Sequence, residues 1–174
     1  MRHFFIPQVH ATTFYKFRGE LESMALRPNH LRENPYAPLA ALPWAFGRFE
    51  SQLLREFDWP RDIMDVGLPR AMKGCFVVPF YNGNFTIAQV ADVGPWVIDD
   101  PYWRTGQRPR AERLFHSGGT VFSPQQQREL RVVSPAAVDF TPEVWYRLGV
   151  PYERAYADPS IHSGVVDLLI IENW

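Results

Sequence analysis

The chain has 174 residues, an apolar fraction of 46% and a net charge of −1. One cysteine excludes a disulfide framework within the chain and a cysteine-based zinc site. The near-zero charge excludes a global field that attracts nucleic acid, and no stretch approaches the roughly 18 apolar residues of a membrane span. Sixteen scattered prolines favour short elements and ordered loops over a helical bundle. These properties predict one domain over residues 1–174.

The first third of the chain is predicted to hold a strand, a loop and a helix. Residues 9–17 are rich in β-formers and predict a strand. Residues 24–44 hold four prolines and two asparagines and predict an extended loop. Apolar residues at spacings of three and four over 46–57 predict an amphipathic helix, which ends before Trp59-Pro60.

A hairpin follows. Residues 74–80 and 85–91 predict two strands, because Asn82-Gly83 between them is the strongest short hairpin signal. Cys75 lies among apolar neighbours in the first of these strands, so we expect a buried and unreactive thiol.

The last part of the chain predicts two strands around a short helix. Residues 136–140 predict a strand, and Thr141 is a good N-cap before Pro142 in the first helical turn. The helix should end at Gly149, a typical residue after a helix C-terminus. The apolar, β-branched residues 164–172 predict a closing core strand. Short strands with two small helices favour a small β-barrel over a βαβ layout.

A long polar segment, residues 104–134, separates the hairpin from the last strands. It is too long for a simple connection and predicts a functional loop or an insertion. Its arginines indicate either a solvated loop or an anion site, and they are dense at positions 104, 108, 110 and 113.

Two aspartates are the candidate catalytic residues. Asp92 ends the second hairpin strand, before a Val-Gly-Pro turn, and Asp139 lies between Val138 and Phe140. A carboxylate among apolar neighbours tends to have a raised pKa, which suits a general acid. Two carboxylates that face one cleft are the arrangement of glycoside-cleaving enzymes. The alternative is that each aspartate caps a turn or helix through hydrogen bonds to the backbone.

Three aromatic residues near Asp92 are candidates for substrate binding. Trp96, Tyr102 and Trp103 lie in a proline-containing loop, and flat exposed rings can stack on sugar faces. The acidic Asp99-Asp100 pair before Pro101 predicts a surface turn that exposes Tyr102 and Trp103. The alternative is that the rings cover the barrel core, and it applies most directly to Trp96.

Signals for metals, cofactors and export are absent from the sequence. The five histidines have no metal-ligand spacing, and there is no serine or cysteine nucleophile motif and no glycine-rich phosphate loop. We therefore expect no metal and no cofactor. The N-terminal residues lack the apolar core of a signal peptide. We expect synthesis in the cytoplasm, with a virion or the cell envelope as the destination.

Three segments occur in the order FVVPFYNGNFTIAQVADVGPW, AAVDFTPEVWYRLGV and GVVDLLIIE. In this order they resemble the double-psi β-barrel of the rare lipoprotein A family, a barrel shared by expansins and family-45 endoglucanases. Residues 91–96 resemble that family's Asn-Asp-Arg-Gly-Pro-Phe turn, and residues 138–141 resemble its Ile-Asp-Leu-Ser motif. Residues 12–15 resemble the Ala-Thr-Phe-Tyr opening strand. The resemblance leaves residues 46–70 and 104–134 unmatched.

The resemblance implies a mainly β fold, a six-stranded double-psi β-barrel with short helices and long insertions at about 46–70 and 104–134. It implies binding or cleavage of cell-wall polysaccharide. Members of the family act as lytic transglycosylases on peptidoglycan or as non-hydrolytic loosening proteins. By position, Asp92 matches the acidic residue implicated in the rare lipoprotein A enzymes, and Asp139 matches the His-Phe-Asp aspartate of expansins and the endoglucanase acid. Thr13 and Tyr15 match substrate-side positions of its first strand.

Three functions remain open at this point. The carboxylates favour an enzyme with an aspartate as general acid. The family's histidine before a Leu-Pro turn is missing, which favours a binding module without turnover whose platform is Tyr102 and Trp103. A further departure is Val93, which replaces the arginine of the Asp-Arg-Gly-Pro turn. The unmatched segments and the missing export signal favour a structural component of a wall-crossing assembly, such as a phage tail, with protein partners.

Overall fold

A computed structural model describes residues 2–13, 38–43, 75–92, 94–95, 97, 100, 102–123, 128–156 and 163–172. Within these residues the strands are β1 (Arg2–Thr13), β2 (Leu39–Ala41), β3 (Cys75–Tyr81), β4 (Asn84–Phe85), β5 (Ala88–Asp92), β6 (Thr120–Ser123), β7 (Arg128–Arg131), β8 (Val138–Phe140) and β9 (Gly164–Glu172). The helices are α1 (Tyr102–Thr105), α2 (Arg110–Ser117), α3 (Pro142–Arg147) and α4 (Tyr152–Tyr156). The helix predicted over 46–57 and the insertion predicted at 46–70 lie outside the described residues.

Six of the strands form a closed barrel. Their hydrogen-bonded order is β3-β5-β2-β8-β1-β9, and β9 pairs back with β3. The pairs β1–β8 and β2–β5 are parallel, whereas β9 runs antiparallel to both of its neighbours. Closure leaves no open sheet edge around the core. The predicted mainly β class and six-stranded barrel are thereby confirmed.

The closing strand shows why this sequence forms a barrel. In β9, Val166, Leu168 and Ile170 are buried and alternate with residues that are at least partly exposed. Side chains of a strand point alternately to its two faces, so these three fill the interior. The prediction of a closing core strand over 164–172 is confirmed.

The hairpin between β3 and β4 has the predicted turn. Asn82 and Gly83 both have positive φ, at 49° and 80°, as a two-residue hairpin turn requires. The strand predicted at 85–91 is divided into β4 and β5. Opposite the break, Pro79 accepts a hydrogen bond from the Thr86 N–H at 3.4 Å but has no N–H to return.

Helix α3 begins and ends at the predicted residues, but Thr141 acts differently from a normal cap. Its side chain makes no capping hydrogen bond. The hydroxyl instead accepts the Leu39 N–H at 3.0 Å and donates to the Leu39 carbonyl, which ties the helix to β2. At the other end, Gly149 has φ +90° and the Val150 N–H donates to the Trp145 carbonyl at 3.0 Å. This is the predicted glycine-terminated helix end.

The segment 104–134 is folded where it is described. It contains α2 and a two-stranded ribbon of β6 and β7. Arg108 donates to the carbonyls of Pro7 and Gln8, at 2.7 and 2.6 Å, and pairs with Glu112. Gln8 has φ 51°, and the register of β1 against β9 shifts beside it. Arg108 therefore holds an irregular point of the barrel, which is a structural role.

The Cys75 thiol is expected to stay unmodified in the native protein. It is buried in β3, and this burial, together with the nearby Glu172 carboxylate, raises its pKa to about 12. The pKa of an unfolded thiol is about 8.5. Because the unfolded state loses this proton at lower pH, the free energy of unfolding should fall as pH rises from about 9 to about 12.

Two measurements check this expectation. A thiol reagent at neutral pH should label the urea-unfolded chain fully and the native chain hardly at all. The fall in unfolding free energy above about pH 9 should be smaller in Cys75→Ala than in wild type. Labelling of the native thiol at the rate of the unfolded one would contradict the burial of Cys75.

Candidate functional site

Four neighbouring strands bring the two candidate aspartates into one row. Ala41 on β2 pairs with Asp92 on β5 and with Asp139 on β8, and Asp139 pairs with Thr12 on β1. Neighbouring strands lie about 4.8 Å apart, so the backbones of the two aspartates are about 10 Å apart. The barrel thus places two residues that are distant in sequence on either side of one alanine.

The side chain of Asp139 faces outward from the barrel. Its neighbours Val138 and Phe140 are fully buried, whereas Asp139 is partly exposed. We expected apolar surroundings to raise the pKa of this carboxyl, but the two neighbours point to the opposite face of the strand. The reason is the two-residue period of a β-strand, which separates sequence neighbours. Val138 and Phe140 therefore do not desolvate Asp139.

The two oxygens of Asp139 have different neighbours. The Thr12 hydroxyl donates a hydrogen bond to Oδ1. Oδ2 lies 3.9 Å from the position that a Cβ atom on Gly94 would occupy. Gly94 belongs to the turn after Asp92, so this turn comes close to Asp139. The two motifs singled out in the sequence therefore meet in space.

Gly94 packs close to Ala41 and Asp139. A Cβ atom on Gly94 would lie 3.6 Å from the Cβ atom of Ala41 and would make ordinary contacts. Gly94 and Ala41 are both buried, so the turn after Asp92 packs against this side of Asp139.

The expectation that Tyr102 and Trp103 form an exposed platform is wrong. Both side chains are only 1% exposed. The Tyr102 hydroxyl donates to the Ala137 carbonyl at 3.1 Å, and the Trp103 indole N–H donates to the Pro43 carbonyl at 2.7 Å. Burial, with the nearby Asp100 carboxylate, raises the pKa of Tyr102. Both rings belong to the core.

Asp100 explains why this segment turns inward. The sequence placed it in a surface turn, but its side chain is buried. Its carboxylate accepts the backbone N–H of Tyr102 at 3.2 Å and that of Arg110 at 2.6 Å. A carboxylate that satisfies the first N–H groups of helices is a favourable cap. Asp100 thereby fixes the start of α1 and of α2 and directs Tyr102 into the core.

Three further residues were predicted to bind substrate: Thr13, Tyr15 and Trp96. Thr13 ends β1, is partly exposed and pairs with Phe140. Because its register partner Phe140 faces the barrel interior, the strand period places Thr13 on the opposite face from Thr12 and Asp139. Tyr15 and Trp96 lie outside the described residues.

The structure shows exposed aromatic residues that the sequence analysis missed. Tyr146 on α3 and Tyr152 on α4 are 49% and 50% exposed. The Tyr152 ring stacks on Tyr156 with centroids 4.7 Å apart, and Tyr146 meets Tyr152 edge to face at 6.0 Å. The spacing of four between Tyr152 and Tyr156 was the available signal, because it places both rings on one face of a helix. We call these three residues the tyrosine cluster.

Several classes of site are not seen in the described part of the chain. No three histidine, cysteine, aspartate or glutamate side chains there are grouped so that they could hold a metal ion. No helix of the described ranges is long and apolar enough to cross a membrane. No family model, characterised protein or solved structure matches the chain.

Proposed function

We propose that this protein is a double-psi β-barrel that binds peptidoglycan or a related cell-wall polysaccharide and cleaves its glycan strands. The single observation that supports cleavage is the row in which Asp92 and Asp139 flank Ala41. The resemblance of the three sequence segments to the rare lipoprotein A family supports the choice of substrate. The partial exposure of Asp139 on β8 is compatible with contact between this side chain and a polymer.

The proposed chemistry is that of a lytic transglycosylase. One aspartic acid, Asp92 or Asp139, donates its proton to the glycosidic oxygen as the bond from that oxygen to the anomeric carbon breaks. A hydroxyl of the same sugar attacks the anomeric carbon and forms an internal ring. No water is consumed, so the product carries an anhydro sugar. A second carboxylate as activator of water is not required.

A digest of purified peptidoglycan sacculi tests this function. Wild type should release anhydro-sugar fragments that mass spectrometry identifies. Since a general acid contributes about 10²–10⁴-fold, replacing the residue that donates the proton with asparagine should lower the release rate by at least about 100-fold. The variants are Asp92→Asn and Asp139→Asn. Glu129→Gln on the exposed ribbon is the matched control and should keep the wild-type rate.

A second candidate is the same barrel without turnover, as a binding module or as a component of a wall-crossing assembly such as a phage tail. The tyrosine cluster favours it, because exposed rings can stack on sugars or bind a partner. Phe122 and Val133, exposed at the two-stranded ribbon, offer a further apolar surface for a protein partner. Wild type that sediments with sacculi but releases no fragments would support this candidate and contradict the enzyme.

A further inference from the structure

We propose that Thr12 is a positioning residue that holds Asp139 as the ionised carboxylate of the site, so that Asp92 supplies the proton. The assignment of chemical roles rests on the proposed function. The hydrogen bond and its effect on Asp139 are independent of turnover, and they are tested without substrate.

This role is supported by a side-chain hydrogen bond between residues that are register partners in two parallel strands. Thr12 and Asp139 are register partners in β1 and β8, and the Thr12 hydroxyl donates to Oδ1 of Asp139. Pairs on both sides, Ala11 with Val138 and Thr13 with Phe140, fix the two backbones. Threonine is branched at Cβ, which restricts its first side-chain torsion. The hydroxyl is therefore held in place before any substrate arrives.

A hydroxyl that donates to a carboxylate stabilises the charged form of the acid. Asp139 accepts this bond on the face of β8 opposite to its buried neighbours Val138 and Phe140. Asp92 lies across Ala41 in the same row. Thr12 thus assigns the charge to Asp139, and under the proposed function the proton donor is the other aspartate of the row, Asp92.

His10 and Glu143 are titratable side chains on elements beside this row. His10 lies two residues before Thr12 on β1, is partly exposed, and would favour the Asp139 carboxylate when protonated. The described residues of β2 carry no charge. On α3, which packs against β8, Glu143 is paired with Arg147 at 2.6 Å and also accepts a bond from Tyr156. The charge of Glu143 is therefore compensated within its own helix pair.

The reaction sequence that follows is balanced. The Asp92 carboxylic acid gives its proton to the glycosidic oxygen while the bond to the anomeric carbon breaks. The attacking sugar hydroxyl forms the new bond to that carbon and loses its proton to the Asp139 carboxylate. Asp92 ends as the carboxylate and Asp139 ends as the carboxylic acid. Proton exchange with solvent restores the starting protonation states. Neither water nor an oxidant is consumed.

The test is a carbon-13 NMR titration of the aspartate carboxyl groups in the whole protein. Asp92→Asn and Asp139→Asn assign the two signals. Wild type should show a lower apparent pKa for Asp139 than for Asp92. Thr12→Val keeps the shape of threonine but removes the hydroxyl, and it should raise the apparent pKa of Asp139 by about one unit. Thr12→Ser keeps the hydroxyl and should stay within a few tenths of a unit of wild type.

Either of two results would overturn the proposal. One is an Asp139 pKa that Thr12→Val leaves unchanged, or that Thr12→Ser raises as much as Thr12→Val does. The other is an Asp139 pKa above that of Asp92 in wild type. Thr12→Ala serves as the second hydroxyl-free variant if Thr12→Val does not fold. The expected shifts without any sugar release would contradict the enzyme function and leave the role of Thr12 in charge placement intact.

Discussion

Trp103→Ala is expected to lower the free energy of unfolding by about 3–5 kcal/mol. The Trp103 ring is fully buried in the core and packs edge to face against Phe4, with ring centroids 5.5 Å apart. Its loss leaves a cavity, and it also removes the donor to the Pro43 carbonyl. Urea denaturation followed by circular dichroism measures the effect.

Two controls separate the contributions of the Trp103 ring. Trp103→Phe keeps an aromatic side chain but lacks the N–H, so its loss should be smaller, about 1–3 kcal/mol. Phe85→Ala removes a ring that is 65% exposed and should change stability by about 0.5 kcal/mol or less. A negligible effect of Trp103→Ala would mean that the ring lies on the surface. Such a result would support the prediction that Trp103 is part of an exposed binding platform.

Arg104→Met is expected to cost about 3 kcal/mol. Glu172 is only 2% exposed and accepts ion pairs from Arg104 at 2.9 Å and from Arg2 at 3.1 Å. Removing one partner of a buried pair leaves an uncompensated charge and costs about 3–5 kcal/mol. Because Arg2 remains beside Glu172, we expect the lower end of this range. Equilibrium denaturation of the variant measures the loss.

Arg2 provides the matched control for Arg104. Its side chain is 58% exposed, so Arg2→Met should cost less than about 1 kcal/mol. Arg104→Lys keeps the charge but loses the forked guanidinium and should lie between the two. Equal losses for Arg2→Met and Arg104→Met would show that burial does not distinguish the two ion pairs.

The two predictions are coupled through one contact. The guanidinium of Arg104 lies 4.8 Å from the centroid of the Trp103 ring. Residues in contact usually have non-additive effects on stability. The double variant Trp103→Ala with Arg104→Met should therefore differ from the sum of the single losses. A double-mutant cycle gives this interaction energy directly.

Some elements of the barrel were predictable because their signals are local. Asn82-Gly83 specifies its turn through the positive φ that both residues adopt. The alternation of residues 164–172 specifies one inward face for a strand. Gly149 ends its helix through the same left-handed conformation. None of these features needs a distant partner, so they can be recognised in the printed sequence.

The positions of Tyr102 and Trp103 could not be derived in this way. An acidic pair before a proline favours a surface turn in most contexts. Here Asp100 is buried because two backbone N–H groups satisfy its carboxylate, one in each of two helices. The second of these helices begins later in the chain, so the sequence near Tyr102 contains no sign of it. A prediction from the neighbouring residues alone therefore places the Tyr102 and Trp103 rings outside the core.

By itself, the sequence determined that Asp92 ends a strand and that Asp139 lies within another. Only the tertiary structure decided that Ala41 lies between them and that Thr12 bonds to Asp139. Both facts depend on the register of strands that are far apart in the chain. Register is specified by barrel closure and by the inward face of every strand together. A segment of the sequence, taken alone, does not contain that information.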